Sequence, residues 1–89
     1  MNDSRVYFSK HIFKGSADFS GFVFPYLGYF DKVEFSDSAW FLDVKFNDDV
    51  WFDDAKFGVR SSFFNAKFNG NANFDDTEFG DEVSFDSAI

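Results

Sequence analysis

Phenylalanine recurs along this chain in a fixed rhythm. Phe8, Phe13, Phe19, Phe24, Phe30, Phe35, Phe41, Phe46, Phe52, Phe57, Phe63, Phe68, Phe74, Phe79 and Phe85 are separated alternately by five and six residues without a break. Two residues before each stands a position that is mostly small or β-branched: Val6, Ala17, Gly28, Val33, Ala39, Val44, Val50, Ala55, Ser61, Ala66, Ala72, Thr77, Val83 and finally Ala88. His11 and Phe22 are the bulky exceptions. Within each small-x-Phe triplet the period is two, so the first and third side chains share one side of a very short strand. The intervals are rich in Asn, Asp, Gly and Ser, as in Phe68-Asn69-Gly70-Asn71-Ala72-Asn73-Phe74, and these residues favour turns over helix. An eleven-residue period also suits a right-handed helical coil, but the turn-forming intervals speak against it. The pattern predicts short strand, turn, short strand, which is the signature of a β-solenoid.

Segments such as Ala55-Lys56-Phe57, Ala66-Lys67-Phe68 and Ala72-Asn73-Phe74 resemble the repeat of the pentapeptide-repeat family, and the resemblance covers residues 6–89. It implies an all-β fold: a right-handed quadrilateral parallel β-helix, with four units per coil and the Phe and small residues inside. Every second unit here carries one extra residue, so a coil is expected to take 22 residues and to stack the Phe in columns beginning at Phe8, Phe13, Phe19 and Phe24. At about 4.8 Å per level, about four coils make a rod on the order of 18 Å long. Met1–Arg5 is expected to form a minimal N-terminal cap on a single domain spanning residues 6–89. No capping helix follows Phe85, so the last coil is expected to expose an apolar edge, and this end or a side patch is expected to be covered by a second copy in a homodimer.

Residues flanking each Phe point outward, and the same register aligns them vertically. Beside the first column stand Tyr7, Tyr29, Trp51 and Asn73 on one flank and Ser9, Asp31, Asp53 and Asp75 on the other, with Asp54 and Asp76 next to these. That is an acidic ridge bordered by stacked aromatics. Beside the second column Glu34, Lys56 and Glu78 alternate in sign, the pattern of an ion-pair ladder, and the adjoining corner carries Asp37, Asp81 and Glu82, interrupted by Arg60. On the third side Trp40, Leu42 and Phe64 are expected to form an exposed apolar patch. The fourth side has Lys45 and Lys67, with the acidic corner Asp48 and Asp49.

Composition narrows the partners. The 17 Phe let a chain of 89 residues build its core from one residue type, although a chain this short buries only about 60% of its unfolded surface. Absence of Cys excludes a disulfide scaffold and thiolate metal sites and fits a reducing compartment. No apolar run approaches the roughly 18 residues of a membrane span or the core of a signal peptide. A complete, soluble protein of the cytoplasm is therefore expected, and the family resemblance implies that of a bacterial or phage-infected cell. The net charge of −8 is uneven: residues 1–30 carry two acids against three bases, residues 31–89 fourteen against five. This balance argues against direct contact with nucleic acid or an anionic membrane and favours a basic protein partner.

Paired carboxylates at Asp48-Asp49, Asp53-Asp54, Asp75-Asp76 and Asp81-Glu82 invite two chemical readings. A calcium ion needs about six to eight convergent oxygens, and a hydrolytic acid pair needs a cleft that drives their pKa values apart. Carboxylates in outward turns on a convex surface supply neither, so solvated turn residues are the expected role. His11, in an inward position of the first coil, is expected to be partly buried rather than a ligand or base. Phe22 is expected to reflect repacking beside Pro25 and Tyr26. No phosphate loop, zinc spacing or nucleophile constellation occurs. Neither enzymatic activity nor a metal or cofactor is expected.

Some pentapeptide-repeat proteins are DNA mimics, notably those acting on bacterial DNA gyrase, and the resemblance extends that expectation to this acidic surface. The partner-facing carboxylates are then Asp31, Asp53, Asp54, Asp75 and Asp76, with Glu34, Glu78, Asp37, Asp81, Glu82, Asp48 and Asp49. A rod on the order of 18 Å spans about five base pairs, short for a topoisomerase. A very small acidic protein of this kind resembles the phage and mobile-element inhibitors of bacterial defence. The sharpest expectation is an anti-CRISPR protein that blocks target-DNA binding by a CRISPR-Cas surveillance complex, with a type II topoisomerase such as gyrase as the competing partner. The alternative from another class is a generic protein–protein interaction module built on Trp40, Leu42 and Phe64. An ice-binding solenoid would carry regular Thr ladders, and Thr77 is the single Thr.

Overall fold

A computed structural model of the chain describes residues 5–89, Arg5 by its backbone alone. These residues form thirteen strands of two or three residues and no helix. The strands are short because each small-x-Phe triplet supplies a single period-two alternation, and the turn-forming interval that follows cannot extend it. The chain visits four faces in turn. The first is built from Arg5–Tyr7, Leu27–Tyr29, Val50–Trp51 and Ala72–Asn73; the second from Ile12–Phe13, Glu34–Phe35, Lys56–Phe57 and Glu78–Phe79. The third pairs Ala17–Asp18 with Ala39–Trp40 and continues as the bridges Trp40↔Ser62 and Ser62↔Ser84. The fourth stacks Val23–Phe24, Lys45–Phe46 and Lys67–Phe68.

Every pairing is parallel and joins residues 22 apart, as in Val6↔Gly28, Gly28↔Val50 and Ala72↔Val50. The fold is a parallel β-solenoid in the register expected from the Phe spacing, with four levels that span three complete steps of the repeat. Arg5 pairs with Leu27, so strand structure begins one residue before the expected domain start, and the rest of the expected cap, Met1–Ser4, lies outside the described residues. The radius of gyration is 12.0 Å, close to the roughly 12 Å of a compact globule of this length. The principal extents of the solenoid are 39 × 27 × 22 Å, longer in one direction than in the other two.

Five-residue intervals close as tight turns. Val33 N donates to Phe30 O at 3.1 Å and Ala66 N to Phe63 O at 3.0 Å, and the third residue of each such turn is left-handed. On the corner after the first face these residues are Lys10, Lys32, Asp54 and Asp76; after the third they are Gly21, Asp43, Asn65 and Ser87. This is the φ signature of a type II turn, and none of the residues that adopt it is β-branched, the class for which it is most strained. The six-residue corner after the second face changes along the stack: Arg60 and Glu82 are left-handed at φ 58° and 63°, whereas Ser38 in the same column is not.

Inside, each ring stacks on its own column and meets the adjoining columns edge-on, except across the five-residue corners, where the rings are tilted, as Phe41 and Phe46 at 36°. Phe41 lies 4.8 Å from Phe63 at an interplanar angle of 5°, and 6.0 Å from Phe30 at 82°. Both geometries are favoured by the ring quadrupole. Phe30, Phe41, Phe52 and Phe63 are wholly buried, with Val33, Ala39, Ala55, Ser61 and Ala66 filling the gaps between columns. The bulky exceptions behave differently from expectation. His11 and Phe22 both lie exposed, because among the described residues no level stands before the first to enclose them. Their rings rest against the first ring layer, His11 at 4.4 Å from Phe13 and Phe22 at 5.7 Å from Phe24. At the opposite end Phe79 and Phe85 are 41% and 40% exposed, the open apolar edge expected of the last coil.

Candidate functional site

The first face brings the acidic ridge together as a column. Asp31, Asp53 and Asp75 follow the core residues Phe30, Phe52 and Phe74 and stand one above another, because consecutive levels are in register. Asp31 and Asp53 are half-buried and Asp75 is exposed. Asp31 Oδ1 accepts a hydrogen bond of 2.6 Å from Ser9 Oγ, one level before it. Asp54 and Asp76 occupy the left-handed corner beside this column, at φ 57° and 55°. Lys10 and Lys32 hold the same corner in the first two levels, so that edge runs from basic to acidic along the stack.

The aromatic flank is stacked as the register requires. Tyr7 and Tyr29 lie 4.9 Å apart at 14°, and Tyr29 and Trp51 lie 4.8 Å apart at 7°. The stack ends at Trp51, because Asn73 is the next residue in the column. Between stack and ridge lies a cleft of about 220 Å³ lined by Tyr29, Asp31, Trp51 and Asp53.

Several other carboxylates serve the fold. Asp37 Oδ1 accepts from Ser38 N at 2.8 Å, Asp48 Oδ1 from Asp49 N at 2.8 Å, and Asp49 Oδ1 from Asn71 N in the next level at 2.8 Å. Asp43, which the spacing did not single out, accepts from Asn65 Nδ2 at 2.5 Å. Glu34, Lys56 and Glu78 share the expected column, but they form no ion pair. Among the described residues the one ion pair within 4 Å is Arg60 with Glu82, at 3.3 Å. Both partners are about three-quarters exposed (75% and 72%), and such a pair contributes little to stability. The carboxylates of Asp53, Asp54, Asp75, Asp76, Asp81, Glu34 and Glu78 have no partner among the described residues.

Charge is banded as well as sided. Residues 72–89 carry six acidic side chains and no basic one, whereas residues 50–71 carry two acids and three bases. On the third face the expected apolar patch is only partly present: Phe64 is 46% exposed, but Trp40 and Leu42 are half-buried. Asp18 and Ser62 bracket Trp40 in its column, which explains its cover. More apolar surface is exposed on the first level, at Phe22, Val23 and Tyr26. One carboxylate there is perturbed: hydrogen bonds from the Ser20 side chain and then the Ser20 amide hold Asp18 below the usual Asp value. No three His, Cys, Asp or Glu side chains among the described residues gather as metal ligands would. No protein-family model, curated protein or solved structure matches the chain.

Proposed function

We propose that this protein is a DNA-mimicking inhibitor whose acidic solenoid surface occupies the DNA-binding site of a bacterial nucleic-acid-handling protein. The observation that carries the reading is the column Asp31, Asp53 and Asp75, continued at its corner by Asp54 and Asp76 and rising to a last level with six acids and no base. A rigid backbone ladder holds these charges apart at no further ordering cost, so a protein with a Lys- and Arg-lined groove meets a preformed complement and is steered to it at low salt.

Size favours a target that reads a short stretch of duplex. The first candidate is a CRISPR-Cas surveillance complex, which makes the protein a phage-type anti-CRISPR; a DNA gyrase or other type II topoisomerase is the second. On this reading the protein is no enzyme, and its partner is met in the cytoplasm of a bacterial or infected cell. The test is capture of partners from a bacterial lysate followed by competition with duplex DNA. Replacing Asp31, Asp53 and Asp75 together by Lys is expected to leave the β-rich circular dichroism intact and to abolish inhibition. Full inhibition by that variant, or binding indifferent to salt, overturns the reading in favour of an apolar contact through Trp40, Leu42 and Phe64.

A further inference from the structure

Within the acidic face one place differs in kind. At the cleft between Tyr29, Trp51, Asp31 and Asp53, two carboxylates lie beside two parallel rings. The carboxylates belong to consecutive levels of one column and so stand at about the strand spacing of 4.8 Å. Asp53 has no partner among the described residues, and Asp31 has one oxygen engaged by Ser9, so acceptor capacity remains on both. The rings are half-buried and packed on each other, which fixes their positions. Trp51 is the last ring of the stack. At about 220 Å³ the cleft falls below the roughly 300–1,000 Å³ of pockets that hold whole small molecules, and is the size for a side-chain tip.

We propose that this cleft is an arginine slot, which takes the guanidinium of a basic partner between the Asp31 and Asp53 carboxylates and against the Tyr29–Trp51 stack. The proposal rests on the reading of the acidic face as the partner surface and adds a side-chain preference to it. Arginine fits for three reasons. Its planar fork can give parallel hydrogen bonds to two acceptors, its delocalised charge sheds water more easily than an ammonium, and that weak hydration lets its plane lie against the apolar flank of the stacked rings. Lysine carries the same charge without the plane. A partner that holds DNA through arginines would therefore be gripped here, whereas one that relies on lysines would be attracted only at long range.

Hexa-arginine and hexa-lysine peptides test this on the intact chain, because their charges are equal and only the head groups differ. Titration followed by NMR is expected to show hexa-arginine binding about two- to five-fold tighter per engaged side chain. Shifts should centre on the Trp51 indole and the Asp31 and Asp53 amides, while the Trp40 indole on another face stays still. Trp51→Asn, which repeats the residue already found at Asn73 in that column, should bring hexa-arginine down to the hexa-lysine affinity and leave hexa-lysine unchanged. If that variant does not fold, Asp53→Asn serves, with the same loss of preference expected. Equal affinities in the unmodified protein, shifts centred elsewhere, or a preference that survives a folded variant each overturn the slot. Equal affinities would still leave the mimicry standing, whereas full inhibition by the triple Lys variant would remove the mimicry whatever the peptides do.

Discussion

Ser61, wholly buried, accepts a hydrogen bond of 3.0 Å from the backbone amide of Ala39, a residue 22 positions earlier. At the matching place on other levels and faces the acceptor is a backbone carbonyl: Ala17 N donates to Ser38 O, and Val50 N to Asn71 O. The equivalent acceptor for Ala39 would be Arg60 O, but Arg60 is left-handed and its peptide is turned. The Ser61 hydroxyl takes that place and donates its own proton to Gly58 O at 2.9 Å.

Ser61→Ala should therefore strand the Ala39 amide in the core and destabilise the protein by about 1–3 kcal/mol. Urea unfolding followed by circular dichroism measures it. Ser62→Ala, which loses only a local bond to the Phe64 amide, should shift stability by no more than about 0.5 kcal/mol. Equal effects of the two would refute this account of the corner.

Gly58 makes the closest backbone approach. A Cβ there would stand 2.2 Å from the Asp37 carbonyl oxygen, so Gly58→Ala must push two levels apart. A loss of at least about 1–3 kcal/mol is expected. Gly15 has nothing within 4 Å of its own Cβ position and no left-handed φ. Gly15→Ala should stabilise by about 0.4–1 kcal/mol through the unfolded chain, and a differential melting experiment on the pair should show opposite signs.

Column position should grade the core. Phe52 is fully buried between Phe30 at 4.9 Å and Phe74 at 5.1 Å. Phe52→Ala is expected to cost about 3–5 kcal/mol, a large share of the roughly 5–15 kcal/mol that holds a small domain together. Phe85, 40% exposed and stacked on Phe63 alone at 4.9 Å, should cost clearly less. A similar loss at both positions would mean that the end of the stack is covered in solution.

The interior was legible because its signal is redundant. All four columns from Phe8, Phe13, Phe19 and Phe24 stack as the spacing says, and Phe57 over Phe35 at 5.2 Å is as regular as Phe46 over Phe24 at 5.1 Å. The acidic column and its aromatic flank came from the same arithmetic. What spacing could not supply is what a side chain does once placed. Asp49 and Asp53 look alike in the sequence, yet the first is tied to Asn71 N and the second has no partner among the described residues. Glu34 and Lys56 share a register without closing a salt bridge, since long side chains on a convex face gain more from water than from one another. His11 and Phe22 follow the inward rule of their columns, but the rule needs a level on each side to enclose them.

Asp18 carries the pH prediction. Its folded carboxyl lies below the ordinary value of 3.8 because Ser20 hydrogen-bonds the ionised form through its side chain and then its amide. A depressed folded value gives a contribution that is present above the unfolded pKa and lost as pH falls through the folded one. NMR titration should place Asp18 below 3.8, and Ser20→Ala should bring it back up towards that value. An Asp18 carboxyl in the unmodified protein that titrates at or above 3.8 would rule out the Ser20 contribution.

Because each contact along the stack joins residues 22 apart, the molecule can change length only in whole coils. Duplicating one coil would lengthen the charged surface by a step and leave the earlier steps untouched, whereas losing one residue would throw every later ring out of alignment. Reach is thus a quantity that duplication of a coil can tune, one 22-residue step at a time.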